Sequence, residues 1–116
     1  MTMAWTVRLT AQAELDFLGI LTWTAENFGD LQAQTYAETL TMAIEALHDG
    51  PALLGAKARD EIQPGIFTLH VARLGRNGRH FVVFRQANGR CIDVLRLLHD
   101  SMDLATHIPD VKRELS

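Results

Sequence analysis

The stretch that decides the fold runs from Ile66 to Asp103 and reads IFTLHVARLGRNGRHFVVFRQANGRCIDVLRLLHDSMD. It holds three apolar runs of strand length that are rich in Val, Ile and Phe. Glycine-containing links, of the kind that reverse a chain, lie between them. The runs are Ile66–Leu74, His80–Gln86 and Arg90–Leu98, and the links are Gly75–Arg79 and Ala87–Gly89. This spacing predicts three strands joined as an antiparallel meander.

The last run is expected to be a central strand. Successive side chains of a strand point to opposite faces, and here both faces are largely apolar. One face would carry Ile92, Val94, Arg96 and Leu98, and the other Cys91, Asp93, Leu95 and Leu97. A strand of this kind is covered on at least one side. In the first run, Phe67, Leu69 and Val71 would share one face, opposite Thr68 and His70.

Upstream of the meander, the pattern predicts a strand and then a helix. Trp5, Val7 and Leu9 alternate with polar residues, and Thr10 can cap the following helix because its hydroxyl can accept an N–H of the first turn. Mainly apolar side chains then recur at three- and four-residue steps and define one face of a helix, which Gly29 can end. These positions are Ala13, Phe17, Ile20, Leu21, Thr24 and Phe28.

Three further side chains, Leu15, Leu18 and Trp23, widen the apolar belt of this first helix. A surface helix does not need so broad a belt. The helix is therefore expected either to be sandwiched inside the protein or to offer part of its surface to a partner.

A second helix is predicted from Asp30, taken as its N-cap, to the break at Gly50-Pro51. Its apolar positions are Ala33, Tyr36, Leu40, Ala43, Ile44 and Leu47. Since the link between the helices is short, they should form an antiparallel hairpin on the sheet. Tyr36, on this stripe, is interpreted as a core residue and not as a catalyst. Residues 51–65 show no period and are predicted to be a long loop.

The order β-α-α-β-β-β predicts an α+β fold, with a helical hairpin packed on a mainly antiparallel sheet. A chain of 116 residues, 47% of them hydrophobic, fits one domain with one core. We expect that domain to span residues 1–116, with a core of about 4–107 and a C-terminal tail at 108–116.

Composition also limits the classes of function. The lone Cys91 is expected to be a small buried hydrophobe in a reducing compartment. The chain has no basic leader ahead of an apolar run and no apolar run near the roughly 20 residues of a bilayer span. The sequence therefore predicts a soluble, cytoplasmic protein with no membrane partner. The five histidines lack ligand-like spacing, so neither a metal nor another cofactor is expected.

Charge is divided unevenly along the chain. The net charge is −3; residues 1–60 hold three basic and eight acidic side chains, and residues 61–116 hold eight and six. Six arginines fall between Arg73 and Arg96. They could meet phosphate or an acidic protein, or they could be edge and turn residues kept for solubility. The total is too acidic for a protein that depends on counterion release from duplex DNA.

A set of residues in order along the chain carries a resemblance to a known family. They are Arg8-Leu9-Thr10, Ala13-Glu14, Asp16, Phe28-Gly29, Ala33, Tyr36, Leu40, Leu47, Pro51, Glu61-Ile62, Pro64-Gly65, His80, Arg85, Val94–His99 and Met102-Asp103. Over about residues 7–107 this pattern resembles the ParE branch of the RelE/ParE superfamily, the toxins of type II toxin–antitoxin modules. Two positions depart from it: Phe67 stands where arginine is usual, and Phe84 where tyrosine is common.

The resemblance implies a toxin that acts by binding. ParE-like toxins arrest DNA gyrase by stabilising its cleaved-DNA complex, and they serve in plasmid stabilisation. A ParD-like antitoxin, a ribbon-helix-helix dimer with a disordered C-terminal segment, silences them in a hetero-oligomer. The partner-binding residues expected on this view are Leu15, Leu18, Trp23, Arg73, Arg76, Arg79, Arg85 and Arg96.

The alternative is a ribosome-dependent mRNA endoribonuclease of the RelE type. Such cleavage needs a base, an acid and cations on the phosphate. Glu61 as base, His99 as acid, and Arg73, Arg85 and Arg96 as phosphate clamps could supply them. The lysine-rich, tyrosine-bearing set of the RelE branch is missing, however, which favours the binding-type toxin. His99 could instead simply hydrogen-bond Asp103 at the end of the sheet.

Overall fold

A computed structural model describes residues 4–104 and confirms the α+β fold. The elements are β1 (Thr6–Leu9), α1 (Ala11–Phe28), α2 (Asp30–Ala46), a 3-10 turn (Leu47–Asp49), β2 (Lys57–Ala58), β3 (Ile66–His70), β4 (His80–Ala87) and β5 (Cys91–His99). They form one five-stranded sheet in the order β1-β5-β4-β3-β2. The strand β1 runs parallel to β5, and the other pairings are antiparallel. The tail predicted at 108–116 lies outside the described residues.

The helices begin and end as the sequence indicates, with one exception. The Thr10 hydroxyl accepts the N–H of Ala13 at 3.1 Å, which confirms it as the N-cap of α1. Gly29 ends α1 with a φ of 94° and is at the same time the N-cap of α2. The prediction that Asp30 caps α2 is wrong. Asp30 is the first residue of the helix, and no side chain makes the cap bond.

The main core lies between the helical hairpin and one face of the sheet. Its buried members are Ala13, Leu40, Ala43, Leu47, Leu69, Val71, Val82, Phe84, Ile92, Val94 and Leu97. The helical spacing predicted these positions on α2, and on α1 it did so with one error. Phe28, placed on the buried face by its spacing, is largely exposed because it is the last residue of the helix.

A β-bulge corrects the predicted alternation of the central strand. Val83 pairs with Arg96 and Phe84 pairs with Val94, so Leu95 is an extra residue in β5. After the bulge the side chains change phase. Leu97, not Leu98, joins the core under the helices, and Leu98 packs on the opposite face with Leu95, Ile66 and Val83. The prediction that β5 has neighbours on both edges is confirmed.

The chain leaves the sheet earlier after β3 than predicted. The N–H of Val71 still bonds the carbonyl of His80, but Arg73 then turns back to Val71 and Leu74 adopts a φ of 53°. Because β4 begins at His80, residues beyond Val71 have no strand to pair with, and the link becomes 71–79. The predicted loop 51–65 also contains the short strand β2, which is too brief to show a period.

Candidate partner-binding groove

A groove of about 700 Å³ opens between the helical hairpin and the end of the sheet at which β4 begins and β5 ends. It is lined by Leu15, Asp16, Gly19, Ile20, Trp23, Thr24 and Phe28 of α1, by Gln32 and Tyr36 of α2, by Asn77–His80, by Arg96–His99 and by Met102. Its surface is mainly apolar. A concave apolar surface with a few polar groups is typical of a binding site.

The α1 side of the groove exposes large apolar side chains. Leu15, Leu18 and Trp23 are 62%, 61% and 60% exposed, and Phe28 is 65% exposed. The rings of Trp23 and Phe28 meet edge to face with centroids 5.7 Å apart. All of these except Leu18 line the groove itself. The broad belt of α1 is thus divided, with one side packed on the sheet and the other open.

Asp16 holds the helix against the edge of β5. Its carboxylate accepts from Arg96 Nε at 2.8 Å and from the N–H of Leu97 at 3.0 Å. That N–H lies beyond the end of β1, whose last pairing is Leu9 with Val94. The ion pair is mostly buried, since the Arg96 and Asp16 side chains are 14% and 12% exposed. Arg96, predicted as a partner contact, is thus engaged inside the protein.

The floor of the groove contains a bonded Tyr36–His80 pair. The N–H of Arg79 donates to the Tyr36 hydroxyl at 3.0 Å, and that hydroxyl lies 2.7 Å from His80 Nδ1. Burial, and next the neighbouring His99, lower the pKa of His80 to about 4. Burial is also the main cause of the raised pKa of Tyr36. The pair is therefore neutral near pH 7. Tyr36, interpreted as a core residue, is half-buried and also lines the groove.

His99 lies opposite His80 on the neighbouring strand, with the two rings 5.2 Å apart. The interpretation that His99 bonds Asp103 is wrong. Its Nδ1 instead accepts the N–H of Ser101 at 3.1 Å and lies 2.7 Å from the Ser101 hydroxyl. The turn after β5 brings Ser101 back to the imidazole ring.

Asp100 ties this end of the sheet together. It accepts from His70 Nε2 at 3.0 Å and from Arg79 Nε at 3.2 Å. The hydrogen bond from His70, followed by that from Arg79, lowers the pKa of Asp100. Its own N–H donates to the carbonyl of Arg79. The link before β4 is thus fixed to the turn after β5.

The residues proposed for RNA cleavage are not brought together. Glu61 is exposed in the link before β3, and Ile66 at the start of β3 pairs with Arg85 near the end of β4. His99 pairs with His80 at the start of β4. Five residues of strand separate the two ends by about 17 Å. The base and the acid therefore lie towards opposite ends of the sheet.

The remaining predicted arginines occupy separate surfaces. Arg73 reaches the carbonyl of Leu54 at 3.4 Å, and Arg76 bonds Thr39 and the carbonyl of Thr35 on α2. Arg85 lies 3.9 Å from Asp93 at the far end of the sheet, and its Nε is buried with no hydrogen-bond partner. Of the predicted set, Arg79 is the one that lines the groove while remaining largely exposed.

Phe67 and Phe84, the two departures from the family pattern, stack on each other in the core with centroids 5.5 Å apart. Phe84 is fully buried. Both side chains lie outside the groove lining. The two phenylalanines therefore contribute to packing towards the far end of the sheet and do not form part of the groove.

Residues 4–104 contain no group of three or more His, Cys, Asp or Glu side chains placed to hold a metal ion. Within the same range, neither helix combines the length and apolar character that crossing a bilayer requires.

Sequence reasoning missed His80 and Asp16 as parts of this site. The hairpin register could have placed His80 only approximately. Ala87 pairs with Cys91, and His80 lies seven residues back on β4 while its partner His99 lies eight residues forward on β5. The extra residue on β5 is the bulge, which the sequence does not mark, so an even count pairs His80 with Leu98 instead. In the sequence, Asp16 and His80 stand out only as positions of the family pattern.

Comparison with known proteins agrees with this geometry. Residues 7–104 match the family described as the ParE toxin of the type II toxin–antitoxin system parDE. Toxin ParE of Escherichia coli is 31% identical over 102 residues, which cover 88% of this chain and 91% of that protein.

Two solved structures share the fold. The chromosomal ParDE toxin–antitoxin system of P. aeruginosa has a chain with a TM-score of 0.68 and 22% identity, covering 84% of this chain and 98% of that one. The toxin–antitoxin complex RelBE2 of Mycobacterium tuberculosis has one with a TM-score of 0.55 and 22% identity, covering 83% and 98%.

The fold is thus that of the RelE/ParE-like toxins, a helical hairpin on a mixed sheet. With the family match over residues 7–104 and the identity to the curated toxin, the chain belongs to the ParE toxin family of type II toxin–antitoxin systems.

Proposed function

We propose that this protein is a toxin that acts by binding DNA gyrase in the cytoplasm and stabilising its cleaved-DNA complex. We further propose that a ParD-like antitoxin, a ribbon-helix-helix dimer with a disordered C-terminal segment, neutralises it. Membership of the ParE family supports both parts. The gyrase target rests on the resemblance to that family, and a role in plasmid stabilisation would follow from it.

The observation that carries the binding function is the open side of α1. Leu15, Trp23 and Phe28 expose most of their side chains beside a groove of about 700 Å³. Leaving such a contiguous apolar surface in water is unfavourable, and exposed patches of this kind mark interaction sites. A disordered segment that folds on contact can bury it by laying apolar anchors along the helix.

The scattered placement of the residues proposed for RNA cleavage supports a toxin without chemistry of its own. General acid–base catalysis requires both groups within reach of one substrate. Glu61 and His99 lie towards opposite ends of the sheet, and Arg96 is held by Asp16. This arrangement offers no site at which one phosphodiester could contact all three.

The predicted arginine contacts differ in how available they are. Arg79 is 71% exposed and Arg73 is half-buried at a loop surface, whereas Arg96 is 14% exposed. We propose Arg73 and Arg79 as the first candidates for contact with gyrase or its DNA. Arg76 and Arg85 keep that role in the proposal as weaker candidates, because Arg76 bonds two groups of α2 and the Nε of Arg85 is buried.

A gyrase cleavage assay tests the target. The purified toxin, added to gyrase and supercoiled plasmid, should cause linear DNA to accumulate after the protein is denatured. Arg73→Gln should reduce that yield, whereas Arg8→Gln, which removes an exposed charge paired with Asp93, should not. Intact plasmid, together with cleavage of ribosome-bound message in a parallel translation assay, would reject the gyrase target.

Co-expression tests the antitoxin. Alone, the chain should be toxic or poorly soluble because of the exposed apolar side of α1. A short reading frame beside its gene, if it encodes the proposed antitoxin, should relieve both effects and co-purify with the toxin. A benign, monomeric protein at high concentration would argue against a neutralising partner.

A further inference from the structure

One end of the apolar groove is polar, and several hydrogen-bond donors there have no acceptor among residues 4–104. His80 and His99 face each other across β4 and β5, and both line the groove beside Arg79. The imidazole rings are 5.2 Å apart. A pocket with apolar walls and a small polar end selects a ligand that carries both characters.

The hydrogen bonds assign which ring nitrogen of each histidine carries the proton. A backbone N–H, that of Ser101, donates to His99 Nδ1. The Tyr36 hydroxyl already accepts the N–H of Arg79, and among residues 4–104 its proton has His80 Nδ1 as its acceptor. Both Nδ1 atoms therefore accept, and in a neutral imidazole the proton then lies on Nε2.

These two Nε2–H groups donate to no acceptor within residues 4–104. Arg79 adds further donors: its Nε is bonded to Asp100, while its two terminal nitrogens have no hydrogen-bond acceptor in that range. The Arg79 side chain is 71% exposed. Three residues thus present donors at one end of the groove, and each residue's remaining polar atoms are already satisfied.

We propose that this end of the groove is a carboxylate subsite, formed by His80, His99 and Arg79, that takes one Asp or Glu side chain of the antitoxin segment lying in the groove. The inference rests on the proposed antitoxin function and deepens it. The apolar anchors would supply contact area along α1, and the carboxylate would fix the register of the segment.

The donor set fits a carboxylate better than other acceptors. A peptide carbonyl has one oxygen, whereas a carboxylate has two and can accept from several donors at once. A phosphate would bring up to two negative charges close to Asp100, whose carboxylate already shares Arg79. The apolar walls favour the side chain of a peptide over a small free anion.

A double-mutant cycle on the toxin–antitoxin complex tests the subsite. Arg79→Gln and His99→Leu should each weaken binding of the antitoxin about tenfold to a hundredfold, as loss of charge-assisted hydrogen bonds does. Changing one particular acidic residue of the antitoxin to its amide should cost a similar factor. The two changes together should cost little more than either alone, because both remove the same interaction.

The control variant is Arg8→Gln, which removes an equal, carboxylate-paired charge outside the groove and should leave antitoxin affinity unchanged. Arg79 is exposed, so its variant keeps the fold even if His99→Leu does not. Equal losses for Arg79→Gln and Arg8→Gln, or losses that simply add for every acidic residue of the antitoxin, would overturn the subsite. If wild-type toxin does not bind the antitoxin at all, the proposed function fails instead.

The imidazole nitrogen signals give a direct readout. On forming the complex, the Nε2 resonances of His80 and His99 should shift, and the amide variant of the antitoxin should abolish the shift. His48, whose Nδ1 bonds the Trp5 carbonyl at 2.7 Å, reports any general effect. Unchanged Nε2 signals in a saturated complex would show that the antitoxin segment places no hydrogen-bond acceptor at this end of the groove.

Discussion

The groove and the far end of the same sheet differ in how far their apolar and polar side chains are buried and paired. At the far end, Phe84 is fully buried and stacked on Phe67, and Asp93 is shared by Arg8 and Arg85. At the groove, large apolar side chains face water, and the imidazole Nε2–H groups have no acceptor in the part of the chain that the structure describes. The difference shows that one end of the sheet stabilises the fold, while the other leaves apolar and hydrogen-bonding groups available. Binding depends on the available groups, because a partner can bury them or bond to them.

The largest effect is expected at the far end of the sheet. Phe84→Ala should lower the free energy of unfolding by about 3–5 kcal/mol, since it removes a buried ring and leaves a cavity against Phe67. Its matched control is Phe28→Ala at the groove, where the exposed ring should contribute about 0.5 kcal/mol or less. Urea titrations of both variants measure the contrast, and similar losses would erase the distinction between the two regions.

The ion pair between α1 and β5 should come next. Asp16→Asn should cost about 2–4 kcal/mol, because it leaves Arg96 without its charge partner in a mostly buried site. Arg8→Gln breaks the Arg8–Asp93 pair, in which the arginine is 60% exposed, and should cost less than about 1 kcal/mol. Urea unfolding of the two variants compares them. An equally small loss for both would mean that Asp16 does not hold α1 to the sheet edge.

His80 should make stability depend on pH. Its pKa is about 4 in the folded protein and near 6.5 when unfolded, so between these values the unfolded chain binds more protons. Stability is therefore complete above about pH 6.5 and falls as the pH drops towards 4. After allowance for partial exposure, the loss should be about 1–2 kcal/mol.

His80→Gln removes this titration and is the control for the pH dependence. Unfolding of the wild type and the variant, followed from pH 7.5 to pH 4.5, should show a smaller slope for the variant. Parallel curves would assign the acid sensitivity to other groups.

The smallest effect is expected in the groove wall. Gly19 lies in α1, and a Cβ built there meets nothing within 4 Å. Gly19→Ala should therefore raise the free energy of unfolding by about 0.5–1 kcal/mol through helix propensity alone. A lower melting temperature for the variant would contradict this, because it would indicate that the added methyl group meets neighbouring atoms.

Sequence periodicity predicted the buried core better than the groove. The helical spacing of Ala13 and Leu40 and the alternation of Phe67 and Leu69 follow from burial, which leaves a regular pattern. The bulge at Leu95 breaks that pattern, because nothing local marks an extra residue in a strand of consecutive apolar side chains.

The groove depends on long-range pairing, which local patterns do not encode. The apolar width of α1 indicated an exposed face, and Leu15 and Trp23 do lie on it. The partners of Tyr36 and Asp16 are 44 and 80 residues away in the chain, and no helical or strand period connects residues so far apart.

The most direct test of the account is the affinity of the antitoxin for a toxin carrying both Leu15→Ser and Trp23→Ser, measured by calorimetry beside an unfolding curve. The account predicts that the antitoxin binds at least about a hundredfold more weakly, as expected when central apolar anchors are removed. Stability should change by about 0.5 kcal/mol or less, since both side chains are exposed. Unchanged affinity, or binding lost only because the variant unfolds, would contradict the account.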